Sequence, residues 1–173
     1  MSLLKRTIET PLYIDIRKGA LDDLATVLAD QRVSSKGHIA VVMTEGGKKK
    51  FEARLKKAAP NANFYISPGN SLDDAKALAE NLKPKKYDAI VGVGGGRVID
   101  LCKYAATLLE IPMISVATNL AHDGVASPVS ILENNGGRGS FGVNAPLAVV
   151  IDLEAIKMAP DRFIKAGIGD VLS

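Results

Sequence analysis

Residues 88–100 are DAIVGVGGGRVID, and this stretch decides the fold. A continuous apolar run leads into three successive glycines at positions 94–96, and residues with helical spacing follow. A buried strand that turns into a helix is typical of α/β folds, and the free amides at such a helix N-terminus attract phosphate. Glycines also lack the Cβ atoms that would keep a pyrophosphate away. The stretch therefore predicts either a phosphate cradle or a tight strand-to-helix turn that binds nothing.

The glycine run does not complete the ordinary dinucleotide fingerprint. Gly92 begins a G-x-G-x-x-G pattern, but Arg97 occupies its sixth position. Arg97 could hydrogen-bond a phosphate or lie in solvent, and Asp100 could interact with the helix dipole or cap a loop. Cys102 is interpreted as a small core residue. Four apolar residues of the same predicted helix are expected to face the core: Val98, Leu101, Ala105 and Leu108.

Apolar strands alternate with amphipathic helices on both sides of this stretch. Strands buried on both faces and separated by helices indicate a parallel sheet flanked by helices, a Rossmann-like α/β fold. Ser71 is a suitable N-cap for one helix, and residues 129–143 predict a β-hairpin near the C-terminal end. The predicted strands are 12–16, 38–43, 63–66, 88–93, 112–117 and 147–151, and the predicted helices are 20–28, 48–58, 72–82, 97–109 and about 160–173.

The composition excludes several classes of function. The chain has 173 residues, 47% of them hydrophobic, which is enough for one domain with a sizeable core. Lys and Arg total 22 against 19 acidic residues, and a net charge of +3 is too small to indicate nucleic acid as a partner. The single cysteine excludes an internal disulfide and a multi-cysteine zinc site. No apolar run is long enough to span a membrane, and a cytoplasmic location is expected.

A second polar segment, residues 118–128 (TNLAHDGVASP), follows a predicted strand. Open α/β sheets bind their ligands at this carboxyl edge of the strands. Thr118 and Ser127 offer hydroxyl groups and Asp123 offers a carboxylate. His122 could serve acid–base chemistry or a structural role. By itself the segment predicts a binding loop.

A third signal lies in residues 166–173, AGIGDVLS, where Asp170 follows a glycine. A carboxylate beside glycine can approach a metal or a sugar hydroxyl closely. One Asp does not make a zinc site, because zinc needs at least three protein ligands. Asp170 could therefore be one ligand of a larger set, or a surface or helix-capping acid.

The three segments GVGGGRVID, TNLAHDGVASPVS and AGIGDVLS, in this order, resemble the sn-glycerol-1-phosphate dehydrogenase family. That family belongs with the iron-dependent alcohol dehydrogenases, glycerol dehydrogenases and dehydroquinate synthases. The resemblance implies an N-terminal α/β domain that binds NAD or NADP, and a helical C-terminal domain that supplies most ligands of a zinc ion. We therefore expect residues 1–160 to form the NAD(P)-binding domain and residues 161–173 to begin the helical domain, with the catalytic half missing from this chain.

The resemblance also implies roles for individual residues. Asp170 would be a catalytic residue, the first zinc ligand and a substrate contact, and Asp123 would bind the polyol phosphate substrate. Zinc would lower the pKa of the substrate hydroxyl, and the cofactor would exchange hydride between dihydroxyacetone phosphate and sn-glycerol 1-phosphate. Many members have Ser where this chain has Ala121, so one hydroxyl beside the cofactor is absent. The cofactor would lie beside Gly95, Gly96, Arg97, Val98, Ile99, Asp100, Thr118, Asn119, Leu120, Ala121 and Ser127.

Other functions stay open at this level. The full protein could be a dehydroquinate synthase-like enzyme or another polyol dehydrogenase, and the chain alone could be a non-catalytic nucleotide-binding module. As a fragment it is expected to be inactive and to bind cofactor weakly. Glu45 could accept from a ribose hydroxyl and favour NAD, whereas the lysines at 48–50 could pair with the 2′-phosphate of NADP. The sequence also leaves a homo-oligomer open.

Overall fold

The computed structural model describes residues 10–34, 37–121 and 123–172, and at Asp123 and residues 170–172 it describes the backbone alone. The described chain alternates strands and helices as the apolar periodicity predicts. The strands are β1 (Tyr13–Arg17), β2 (Ile39–Met43), β3 (Asn63–Ile66), β4 (Ala89–Gly94), β5 (Met113–Ala117), β6 (Val129–Asn134), β7 (Gly137–Gly142) and β8 (Ala148–Asp152). The helices are α1 (Leu24–Leu28), α2 (Glu45–Ala58), α3 (Leu72–Leu82), α4 (Gly96–Leu109), α5 (Leu153–Lys157) and α6 (Asp161–Leu172).

Six strands form one sheet in the order β1-β8-β5-β4-β2-β3, and every neighbouring pair is parallel. The chain leaves β2 for β3 at one edge, while β4 is followed by β5 on the other side. The strand order therefore reverses between β2 and β4, which makes a crevice at their carboxyl ends. The prediction of a Rossmann-like parallel sheet flanked by helices is confirmed.

Two apolar layers cover the sheet, one on each face. Val41 and Val91 pack with α1 and α2, whereas Ala40 and Ile90 pack with α3 and α4. Because successive side chains of a strand point to opposite faces, a strand in the middle of such a sheet is apolar throughout. β2, β4, β5 and β8 are buried along their whole length, which explains the continuous apolar runs of the sequence.

The predicted β-hairpin is present as the antiparallel pair β6–β7 and packs against α4. Leu132 is fully buried there, and the rings of Tyr104 and Phe141 meet edge to face with centroids 5.6 Å apart. The amide of Glu133 donates to the carbonyl of Asn70 at 3.1 Å, before α3. The hairpin is thus tied to both helices on that face of the sheet.

Two helix starts differ from the prediction because side chains capture backbone amides. α1 begins only at Leu24, since the buried Asp152 carboxylate accepts from the amides of Gly19 and Leu21 at 3.2 Å each and holds that segment in turns. α2 begins at Glu45 rather than near residue 48, because the Thr44 hydroxyl accepts from the amide of Gly47 at 3.0 Å.

The inward-facing stripe of α4 was predicted correctly except at its end. Val98, Leu101 and Ala105 are buried, but Leu108 is half exposed. A seven-residue repeat drifts by about 20° around a straight helix, so Leu108 turns away from the core and Leu109 packs against it instead.

Ser71 is confirmed as the N-cap of α3. Its hydroxyl accepts from the Asp74 amide at 3.0 Å, and the Asp74 carboxylate accepts in return from the Ser71 amide at 2.9 Å. Within the described ranges, none of the helices has the length and apolar character needed to cross a lipid bilayer.

Candidate functional site

A cleft of about 1040 Å³ opens at the carboxyl edge of the sheet. The segments that follow β2, β3, β4, β5 and β8 line it, and the β6–β7 hairpin adds a side wall. It lies over the point where the strand order reverses between β2 and β4. This is the place at which open α/β sheets bind their ligands.

The glycine run forms the floor of this cleft. β4 ends at Gly94, and Gly95 is the N-cap of α4 with no capping hydrogen bond from a side chain. By contrast, α2 and α3 are capped by Thr44 and Ser71. Because the first amides of a helix have no acceptor within the helix, the uncapped start of α4 presents donors and a positive dipole end to the cleft. The arrangement can bind an anion.

Close packing also favours glycine at two of these positions, because a larger residue would have to displace a neighbouring side chain. A Cβ at Gly94 would lie 3.0 Å from the side chain of Val98, and a Cβ at Gly95 would lie 2.3 Å from Nδ2 of Asn119. The amide of Thr118 donates to the carbonyl of Gly94 at 2.9 Å. The glycine run and the segment after β5 are therefore in direct contact.

The charge of the described lining residues is mainly positive. Lys50, Arg97, Arg138 and Arg162 line the cleft, and Asp100 is the one acidic residue among its described lining. The Arg97 side chain is 73% exposed and lies 3.9 Å from the Glu133 carboxylate. A cleft with several cations raises the local concentration of an anionic ligand.

Asp100 is paired with a lysine that is fully buried. Nζ of Lys103 lies 3.0 Å from Oδ1 of Asp100, and the Lys103 side chain is 0% exposed. The same Nζ donates to the carbonyls of Gly124 at 2.7 Å, Ser127 at 3.3 Å and Val129. An ammonium has three protons, so the three carbonyls use them all, and Oδ1 of Asp100 contributes charge without an aligned hydrogen bond.

The structure places the predicted cofactor residues in three groups. Ile99 is fully buried in the core beneath the helix, so its side chain faces away from the cleft. Leu120 lies outside the cleft, in an apolar hollow of about 500 Å³ against α5 and α6. The other nine residues line the cleft: Gly95, Gly96, Arg97, Val98, Asp100, Thr118, Asn119, Ala121 and Ser127.

Three predicted residues lie wholly or partly outside the described structure. His122 is not described, and for Asp123 and Asp170 the backbone alone is described, in a short 3₁₀ turn and in α6 respectively. Among the described residues no group of three or more His, Cys, Asp or Glu side chains could hold a metal. The roles of Asp123 and Asp170 and the zinc site stay predictions.

The sequence analysis missed several parts of the site. Asn70 and Arg138 reach the cleft from the loop before α3 and from the hairpin, and no local pattern marks them. Lys103 carried a signal that could have been noticed, because it follows Asp100 by three residues within the otherwise hydrophobic run 98–106. Cys102 is buried as predicted, and burial raises the pKa of its thiol.

The fold and the site define an open, parallel α/β domain whose ligand site lies at the reversal of strand order, over a glycine-lined helix start. A sequence model described as iron-containing alcohol dehydrogenase matches residues 15–160. The chain belongs to the iron-containing alcohol dehydrogenase family.

Relatives with assigned activities cover this chain almost entirely. A glycerol-1-phosphate dehydrogenase of Methanosarcina mazei that uses NAD(P)+ is 33% identical over 168 residues, which are 96% of this chain and 47% of the relative. The chain thus spans about half the length of the curated relatives it matches. Among solved structures, glycerol dehydrogenase of Schizosaccharomyces pombe has a TM-score of 0.84 at 24% identity, covering 97% of this chain and 44% of that one. At this identity the likeness establishes the fold.

Proposed function

We propose that this chain is the nucleotide-binding domain of an NAD(P)-dependent glycerol-1-phosphate dehydrogenase, and that the cleft binds the dinucleotide. The observation that carries the proposal is the uncapped, glycine-lined start of α4 at the reversal of strand order. The basic lining of the cleft supports it. The relatives at about one third identity support this reaction over that of a dehydroquinate synthase, because they are named glycerol-1-phosphate dehydrogenases.

The residues of the cleft suit the parts of a dinucleotide. The amides of Gly96 and Arg97 would donate to the diphosphate, and the Arg97 guanidinium would add charge. The hydroxyls of Thr118 and Ser127 and the amide group of Asn119 would bind the nicotinamide end, as lining residues of the segment after β5. Their common task is to orient the cofactor beside the substrate and to exclude water.

The proposed reaction balances with the cofactor as the only redox partner. Dihydroxyacetone phosphate, NAD(P)H and one proton would give sn-glycerol 1-phosphate and NAD(P)+. The bound cofactor supplies the hydride. A divalent metal, predicted as zinc and suggested as iron by the family name, belongs to the proposal for the whole protein. The described residues contain no complete ligand set for such a metal.

The nucleotide-binding proposal can be tested on this chain by an NMR titration with NADH. The amide resonances of residues 95–98 should shift on titration. The dissociation constant should be above about 1 µM, because this chain spans only about half the length of its relatives. Gly95→Ala should weaken binding at least about tenfold, since its Cβ would displace Asn119.

Gly136→Ala is the matched control for this titration. A Cβ at this position in the hairpin turn meets no atom within 4 Å, so both folding and NADH affinity should be unchanged. The proposal fails if NADH leaves the amides of residues 95–98 unshifted at millimolar concentration, or if the two alanine variants bind alike.

A further inference from the structure

We propose that Lys103 is a positioning residue that fixes residues 124–129 against α4 and thereby sets the shape of the nucleotide cleft. The inference rests on the proposed function, since the cleft is the proposed cofactor site. Residues 124–129, which we call the clamp segment, include Gly124, Ser127 and Val129, all of which line the cleft.

The contacts of Lys103 are concentrated on one segment. Its ammonium donates to three carbonyls of the clamp segment, those of Gly124, Ser127 and Val129. These carbonyls belong to residues that span six positions, from a short 3₁₀ turn to the first residue of β6. A single cation that collects three such carbonyls defines the path of the backbone, much as a bound metal ion does.

Burial makes this cation hard to replace. The Lys103 side chain is completely buried, and its counter-charge is the nearly buried carboxylate of Asp100. Removing the ammonium would leave three carbonyls and a carboxylate without their partner, and unpaired buried polar groups are strongly unfavourable. A side chain without hydrogen-bond donors would therefore release the clamp segment from α4.

The position of the clamp segment matters because α4 also carries the anion cradle. Asp100 lies one turn after Gly96, at the start of the helix, and its carbonyl accepts from the Ser130 hydroxyl at 2.9 Å. Lys103 and Ser130 thus fasten one wall of the cleft to the same helix whose first amides form the floor. A shift of the wall would change the distance between Ser127 and the diphosphate site.

Thr107 offers a comparison on the same helix. Its hydroxyl donates to the carbonyl of Lys103 at 2.9 Å and accepts from the amide of Asn144 at 3.0 Å. Thr107 therefore also joins α4 to a connecting segment, but one that does not line the nucleotide cleft. Thr107→Val should remove a tether of comparable kind without moving the cleft wall.

The test compares Lys103→Met with Thr107→Val in the whole chain, by amide hydrogen exchange and by NADH titration well below the melting temperature. We expect Lys103→Met to raise exchange in the clamp segment by about tenfold or more and to weaken NADH binding by about tenfold. Thr107→Val should leave the exchange rates of the clamp segment and the NADH affinity near their wild-type values, even if this variant is less stable to denaturation.

Lys103→Gln keeps the experiment decisive if Lys103→Met does not fold. The amide of Gln has two donors, so this variant should retain part of the protection and part of the affinity. The inference would be overturned if the clamp segment of Lys103→Met exchanged as slowly as in the wild type. It would also be overturned if Lys103→Met and Thr107→Val lost NADH affinity equally. If the wild type binds no NADH, the proposed function fails, whereas the exchange data still decide the role of Lys103.

Discussion

At the scale of single residues, the structure separates two side chains that the sequence offered as determinants of cofactor choice. Lys50 lines the cleft, and its Nζ donates to the carbonyl of Met158 at 3.4 Å. Glu45, in the first turn of α2, is exposed and is not among the described lining residues. Among the described lining residues no carboxylate opposes this cation, which favours a ligand with an additional phosphate.

Lys50→Ala should therefore affect the two cofactors unequally. We expect the affinity for NADPH to fall about tenfold and that for NADH by less than about twofold, because a charge-assisted contact to the 2′-phosphate is lost. Lys49→Ala is the control, since Lys49 is exposed and lies outside the lining residues. Competition titrations with both nucleotides measure the effect, and equal losses for NADH and NADPH would contradict it.

At the scale of elements, α6 rests on the segment that follows β5. Gly167 of α6 approaches the backbone of Leu120 so closely that a Cβ on Gly167 would lie 2.2 Å from the Leu120 carbonyl oxygen. A Cβ on Gly169, two residues later, would meet no atom within 4 Å. The first glycine is thus needed for helix docking, whereas the second is a weak point in a helix.

Alanine at these two positions should have opposite effects. Gly169→Ala should stabilise α6 by roughly 0.5–1 kcal/mol, because Ala has the higher helix propensity. Gly167→Ala should destabilise the docked helix by at least about 1 kcal/mol, because the Leu120 backbone has to move. Amide exchange in α6 and urea denaturation would measure both changes. Stabilisation by Gly167→Ala would show that α6 does not dock on Leu120.

At the scale of the whole molecule, one buried carboxylate joins the two ends of the described chain. Asp152, the last residue of β8, accepts from the amides of Gly19, Leu21 and Glu154 and from Arg54 at 2.6 Å. Burial alone would raise the pKa of Asp152, but these hydrogen bonds outweigh it and the pKa lies below its ordinary value. Hydrogen bonding from Arg54 likewise lowers the pKa of Asp22.

This network should make stability acid-sensitive. A carboxyl whose pKa is lower in the folded state stabilises the fold above its unfolded pKa of about 4, and the contribution is lost as the pH falls through the folded pKa. Arg54→Leu should lower the free energy of unfolding by about 1.5–3 kcal/mol at pH 7, because it removes a charge-assisted hydrogen bond to the buried Asp152 carboxylate. The difference from wild type should shrink below about pH 4.

Lys56→Met, in the same helix, is the control for this measurement. Lys56 forms an exposed ion pair with Glu52 at 3.0 Å, and such a pair contributes about 0.5 kcal/mol or less. Urea denaturation of the three proteins from pH 3 to pH 7 would give the comparison. A central role for Asp152 would be ruled out if Arg54→Leu lost as little stability as Lys56→Met. It would also be ruled out if the stability lost in Arg54→Leu did not change with pH.

Except for the short helix α5, which was not predicted, the sequence by itself determined the elements and their order. The apolar runs, the glycines at 94–96 and the Ser71 cap are local signals, because strand burial, helix starts and turns depend on neighbouring residues. Local signals also predicted that the glycine run and Thr118 lie at the carboxyl edge of one sheet, because each directly follows an apolar strand. The locality of these signals also explains the misplaced starts of α1 and α2, where residues such as Asp152 that are distant in sequence, or an unforeseen cap, took the deciding hydrogen bonds.

Only the tertiary structure decided which side chains meet in the cleft. Lys50, Arg138 and Arg162 converge there from α2, from the hairpin and from α6, and no spacing along the chain records that meeting. The buried position of Lys103 depends equally on the path of the clamp segment over α4. Contacts between distant segments follow from strand order and the packing of helices on the sheet, and these are settled by the burial of the whole core rather than by any local pattern.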